Sequence, residues 1–132
     1  MPTKLVFMLE DDHDDRQLTE SIISELHFDI ELRYFSNRGE LLQALSTNKP
    51  SLILIDYNIV PENGVEVMKE IKSTPAFLSI PIVILSDTGM SRYRDEAYAA
   101  GAASFIAKPW QMEKTREKIR TFFDYWFEVV EG

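Results

Sequence analysis

Five short apolar runs, each followed by an amphipathic stretch, constrain this chain more than any other feature. The runs are Leu5–Leu9 (LVFML), Ile30–Phe35 (IELRYF), Leu52–Ile55 (LILI), Ile82–Leu85 (IVIL) and Ser104–Ala107 (SFIA). LVFML, LILI and IVIL are apolar at every position, as a strand covered on both faces requires. IELRYF alternates and reads as an edge strand. Between the runs the apolar spacing is helical. Leu18, Ile22, Ile23 and Leu26 form one stripe. Leu41, Leu42 and Leu45 form a second, opened by Asn37 with Glu40 three residues on, the pattern of a capped helix start. Val65, Val67, Met68 and Ile71 follow the Asn63-Gly64 turn. A weaker stretch runs from Ser91, an expected N-cap, to Gly101, an expected C-cap. The last helix is expected over about 111–130.

Strand and helix alternating five times predict an α/β fold, a parallel sheet with helices on both faces. Short right-handed connections favour an open, doubly wound, five-stranded sheet in the flavodoxin-like order 2-1-3-4-5. The common eight-stranded barrel needs more residues than the 132 present. That length matches one domain, residues 1–132.

The charge balance narrows the function classes. Fourteen Lys and Arg stand against 22 Asp and Glu, a net charge of -8. Such a chain is ill suited to a phosphate backbone or an anionic membrane, so neither nucleic acid nor membrane is expected as a partner. With no cysteine, disulfides, thiolate metal sites and Cys nucleophiles are excluded. The apolar runs are too short to span a bilayer, and the acids at 10–12 come too early for a secretory signal. The cytoplasm is the expected compartment.

In a doubly wound sheet the ligand sits beyond the carboxyl ends of the strands. Glu10, Asp11 and Asp12 follow the first run, Asp56 the third, Ser86 and Asp87 the fourth, Lys108 and Pro109 the fifth. Each alone has a structural explanation: acids suit a helix N-terminus, Asp suits a turn, and a lone Lys is a solvated charge. Together they place carboxylates, a hydroxyl and an ammonium on one edge. Crowded carboxylates repel, and a divalent cation relieves them. The all-oxygen donor set suits a hard ion, Mg²⁺ or Mn²⁺. A carboxylate can also take a phosphoryl group as an aspartyl phosphate, with a metal, a lysine and a hydroxyl stabilising the transferred oxygens. Asp56, at the central strand end, is the best candidate nucleophile.

LVFMLEDD, LILIDYN with Gly64 eight residues after Asp56, IPIVILS and GAASFIAKPW together resemble the receiver domain of two-component response regulators, of the stand-alone, chemotaxis-receiver-like type with no output domain. The resemblance implies that Asp56 is phosphorylated from a phosphohistidine. It implies Asp11, Asp56 and the backbone carbonyl of Asn58 as metal ligands, with Glu10 acting through water. It implies Ser86 and Lys108 as phosphoryl-binding groups, Phe105 as the aromatic switch, and a cis bond before Pro109. Phosphorylation would then reshape the surface of the fourth helix, fifth strand and fifth helix. The implied partners are a histidine kinase or histidine phosphotransfer protein and a downstream protein target.

Two positions depart from the family pattern. Val60 stands where the family usually has proline, with Pro61 after it, and Asp87 stands where a small residue is usual. Both are candidate modulators of phosphotransfer. They also favour the rival reading, a pseudo-receiver that binds proteins without phosphorylation. A small phosphohydrolase fails because the position two after Asp56 is Asn58, not an acid. A calcium loop starting at Asp11 fails at Arg16 and Ile22, where Gly and Glu are required. His13 and His27 read as exposed residues rather than ligands.

The C-terminal stretch is unusually apolar. Ile119, Phe122, Phe123, Trp126, Phe127 and Val130 share one helical face, and Tyr125 and Val129 widen the apolar arc to roughly 200°, against the ~100° a surface helix needs. The expectation is a helix that covers the sheet and offers Tyr125, Trp126 and Val129 to a partner, a second copy being one such partner.

Overall fold

The computed structural model describes residues 3–25, 29–86, 91–107, 117, 120, 121, 123–125 and 127, with backbone only at Ile22 and Ala107. Strands and helices alternate: β1 (Lys4–Leu9), α1 (His13–Ser24), β2 (Ile30–Phe35), α2 (Arg38–Leu45), β3 (Leu52–Asp56), α3 (Gly64–Lys72), β4 (Ile82–Ser86), α4 (Ser91–Ala99) and β5 (Ser104–Ala107). A 3₁₀ turn, Pro75–Phe77, precedes β4. The five strands form one parallel sheet in the order β2-β1-β3-β4-β5. The expected fold and strand order are both observed. β2 lies at the edge, where alternation places it, and its exposure alternates along most of its length.

Strand residues divide the core by parity. Phe7, Leu9, Ile53, Ile55, Ile82 and Ile84 pack with Leu41, Leu45, Val65, Met68, Ile71 and Ala97 from α2, α3 and α4. Val6, Met8, Leu52, Leu54, Val83, Leu85 and Ile106 face the other way, with Ile23 of α1 and with Phe123 and Phe127. Because successive side chains point to opposite faces, a strand apolar at every position serves two cores at once.

The helix ends follow the local signals. Asn37 Oδ1 accepts the Glu40 N–H at 2.9 Å, and Glu40 Oε1 accepts the Ser36 N–H at 2.9 Å. Asn63 Oδ1 accepts the Glu66 N–H at 3.0 Å. Gly101 ends α4 at φ 104, the left-handed geometry glycine adopts without a Cβ penalty. The Gly101 N–H reaches Tyr98 O and the Ala102 N–H reaches Ala97 O, each at 3.0 Å. This pair of bonds is a Schellman close. Ser91 is the first helical residue of α4 rather than the cap before it. Thr19 is buried on α1 although it is polar. Its hydroxyl donates to Asp15 O at 3.1 Å, which satisfies it within the helix.

Candidate functional site

The first acid run splits into two jobs. Asp12 caps α1: its Oδ1 accepts the Asp15 N–H at 3.0 Å and its carbonyl accepts the Arg16 N–H at 3.1 Å. Glu10 and Asp11 turn instead toward Asp56, and carboxylate oxygens of the three lie within 4.8 Å of one another. Glu10 is fully buried, Asp56 is 5% exposed, and Asp11 is open to solvent. Glu10 is fastened at its backbone and its side chain. Its N–H donates to Phe35 O at 3.0 Å, and its Oε1 accepts the Asp12 N–H at 3.0 Å.

Asp56 is the last residue of β3, opposite Leu85, and its Oδ1 accepts the Asn58 N–H at 3.2 Å. The chain then returns tightly. The Tyr57 N–H donates to Leu85 O at 2.7 Å, and the Gly64 N–H donates to Tyr57 O at 2.8 Å. A Cβ on Gly64 would stand 2.4 Å from the Asp56 carbonyl oxygen, so only glycine fits there. In the loop between, Asn58 and Val60 are exposed, Val60 at 69%. The Val60–Pro61 peptide is cis.

Ser86 ends β4, fully buried, opposite Ala107, the residue before Lys108. Both strands run one residue further than their apolar runs, because Asp56 and Ser86 still have ladder partners. Phe105 is half-buried against the α3 side of the core, and its N–H donates to Tyr98 Oη at 3.2 Å. Asp87, Lys108, Pro109, Trp126, Val129 and His27 lie outside the described residues. Tyr125 is 54% exposed, whereas Phe123 and Phe127 are buried with ring centroids 5.5 Å apart. His13 is exposed, as expected.

Two residues at the site carried no expectation. Tyr57, directly after Asp56, places its ring 4.7 Å from that of Tyr93 on α4, and its hydroxyl donates to Glu96 at 3.4 Å. Burial, then the Glu96 charge and hydrogen bond, raise its phenol above the usual value. Arg16 donates from Nε to Glu10 O at 2.6 Å and from Nη2 to Ser36 Oγ at 2.8 Å. A signal for Arg16 existed. At 100° per residue it lies beside Ile23 and Thr19, at the edge of the buried arc of α1.

An all-oxygen set of three carboxylates, two of them buried, fits a hard divalent cation, which would relieve their mutual repulsion. The response regulator receiver domain model matches residues 6–120. The chain belongs to the response regulator receiver domain family. Receiver domains are the phosphoacceptor modules of two-component signalling and interact with histidine kinases and downstream targets.

This receiver is 28% identical to the transcriptional regulatory protein CrdR of Helicobacter pylori over 92% of its own length, but it spans only 55% of CrdR. It is 24% identical to the response regulator Rcp1 of Synechocystis, covering 98% of this chain and 92% of that one. In structure it is similar to the phosphorylated cyanobacterial phytochrome response regulator RcpA, with a TM-score of 0.88 at 24% identity, over 97% of this chain and 96% of that one. The Mn²⁺-bound form of Rcp1 gives a TM-score of 0.84 at 23% identity, over 95% of both chains. Among the described residues, no helix is long and apolar enough to cross a membrane.

Proposed function

We propose that this receiver is a Mg²⁺-dependent phosphoacceptor in which Asp56 takes a phosphoryl group from a phosphohistidine of a histidine kinase or histidine phosphotransfer protein. The observation that carries the reading is the meeting of Glu10, Asp11 and Asp56 within 4.8 Å at the carboxyl ends of β1 and β3. A carboxylate oxygen of Asp56 forms the O–P bond as the P–N bond breaks, and the electron pair leaves with the imidazole nitrogen. Mg²⁺, or Mn²⁺, would supply charge neutralisation for the transferred oxygens. Asp11, Asp56 and the Asn58 carbonyl would hold it directly, and Glu10 would hold it through water. Ser86 and Lys108 would bind phosphoryl oxygens, and Phe105 would turn inward as Ser86 moves.

The reshaped face of α4, β5 and the C-terminal helix would then bind a downstream protein. The exposure of Tyr125 supports a partner face there that also includes Trp126 and Val129, with a second copy as one occupant. In this reading the receiver works in the cytoplasm and acts by contact with a protein, without nucleic acid or membrane. Val60 and Asp87 would tune the rates of transfer and hydrolysis.

The test is incubation with Mg²⁺ and a small phosphodonor, followed by mass mapping. One phosphoryl group on Asp56, absent in Asp56→Asn, is the expected result. No adduct with any donor or kinase would replace this reading with the phosphorylation-independent binding module. Unchanged rates in Asp87→Ala would remove the role given to Asp87. A monomer at high concentration by light scattering, phosphorylated or not, would remove self-association.

A further inference from the structure

The guanidinium of Arg16 is placed where a simple surface charge would not be. Its Nε–H donates to the carbonyl of Glu10 and its Nη2–H to Ser36 Oγ. One planar group thus joins the turn after β1 to the turn after β2. Arg16 is itself held from two sides. The Tyr34 ring lies 5.3 Å from the guanidinium carbon, and Tyr34 Oη donates to the Arg16 carbonyl at 2.9 Å. Ser36 is held in turn by Glu40. The peptide on the far side of Glu10 is tied to Phe35 O. Glu10 therefore has its N–H bound to β2, its C=O bound to Arg16 and its carboxylate bound to Asp12 N–H.

We infer that Arg16 is a positioning residue for the cation site: its two-pronged hold on Glu10 O and Ser36 Oγ fixes the Glu10–Asp11 turn so that both acids face Asp56 before any ion arrives. This rests on the cation reading given above. Geometry and charge act against each other at Arg16. As a charge, Arg16 beside an acidic cluster opposes the entry of a second cation. As a fork, it removes freedom from the turn that carries Glu10 and Asp11, and groups that orient metal ligands are typically worth tenfold or more in affinity. The two effects have opposite signs. Lysine keeps the charge but has a single ammonium, so it loses the fixed two-acceptor fork.

The experiment is calorimetric titration of Mg²⁺ alone into the wild-type chain, Arg16→Lys, Arg16→Met and Ser36→Ala, with the thermal midpoint of each cation-free protein measured alongside. The expected result is about tenfold or more weaker binding in both Arg16 variants, a smaller loss in Ser36→Ala, and no correlation with the thermal midpoints. Wild-type affinity in Arg16→Lys, or tighter binding in Arg16→Met, would overturn the inference and leave Arg16 as a charge or a helix tie. If Arg16→Met does not fold, Arg16→Lys and Ser36→Ala decide the matter by the same criterion. A wild-type chain that takes up no Mg²⁺ overturns the cation reading itself, a result distinct from wild-type binding that the Arg16 variants share.

Discussion

The helices that follow Asp56 and Ser86 are held in opposite ways. α3 buries Gly64, Val65, Val67, Met68 and Ile71, and Asn63 caps its first turn. α4 buries Ala97 and no other of its nine residues. Its other contacts among the described residues include aromatic and polar ones: Tyr93 rests on Tyr57, and Tyr98 Oη accepts the Phe105 N–H. Arg92 lies over the Tyr93 ring at 4.8 Å and bonds its hydroxyl at 2.8 Å. One side of the site is therefore framework. The other rests on contacts that can be exchanged at small cost.

The contrast can be broken by substitution. The largest effect is expected from Ile71→Ala, which empties a fully buried site in α3 and should lower stability by about 2–5 kcal/mol in denaturant titration. Gly64→Ala comes next, at about 1–3 kcal/mol. Its Cβ would meet backbone at Asp56 rather than a flexible side chain, so the yield of Asp56 adduct should fall with it. Tyr93→Leu, on the α4 side, should cost only about 0.5–1.5 kcal/mol. A cost equal to that of Ile71→Ala would end the distinction between the two helices.

The smallest effect is one of pH. The Tyr57 phenol is raised above 10.0, so its protonated form is favoured more in the folded than in the unfolded chain. The stability it contributes is complete below pH 10 and is lost as pH rises through the folded value. Tyr57→Phe removes the long bond to Glu96, so it should lower neutral-pH stability by about 0.5 kcal/mol and flatten part of the alkaline loss, as read by denaturation between about pH 8 and 11.5. Tyr34, raised mainly by burial and then by Glu20, loses its contribution in the same direction, so Tyr34→Phe is the matching control.

Much of the site was readable from where the apolar runs stop. A strand buried on both faces ends where its chain turns polar, and adjacent parallel strands bring those ends together. The meeting of Glu10, Asp11 and Asp56, and the place of Ser86 at the end of β4, were legible for that reason. The caps at Asn37 and Asn63 and the close at Gly101 were legible because each depends on a few residues of neighbouring chain. The partners of Arg16 and Tyr57 were not, although helical spacing places Arg16 at the edge of the buried arc of α1. Arg16 acts on Ser36, twenty residues away, and Tyr57 meets Glu96, thirty-nine residues away. No local pattern encodes which distant acceptor a polar side chain will find.

The sequence by itself determined the strands, the edge character of β2 and the acids at the strand ends, because burial period and strand termination are local properties of the chain. The strand order followed only from the connection rules for such sheets. Tertiary structure alone decided how the acid run divides between capping α1 and facing Asp56. It also decided that Arg16 turns inward to hold Glu10, and that α4 rests on Tyr57 rather than on an apolar stripe. Each of those outcomes depends on which donors and rings the neighbouring elements deliver to the same few ångströms, and that is settled only when the helices pack on the assembled sheet.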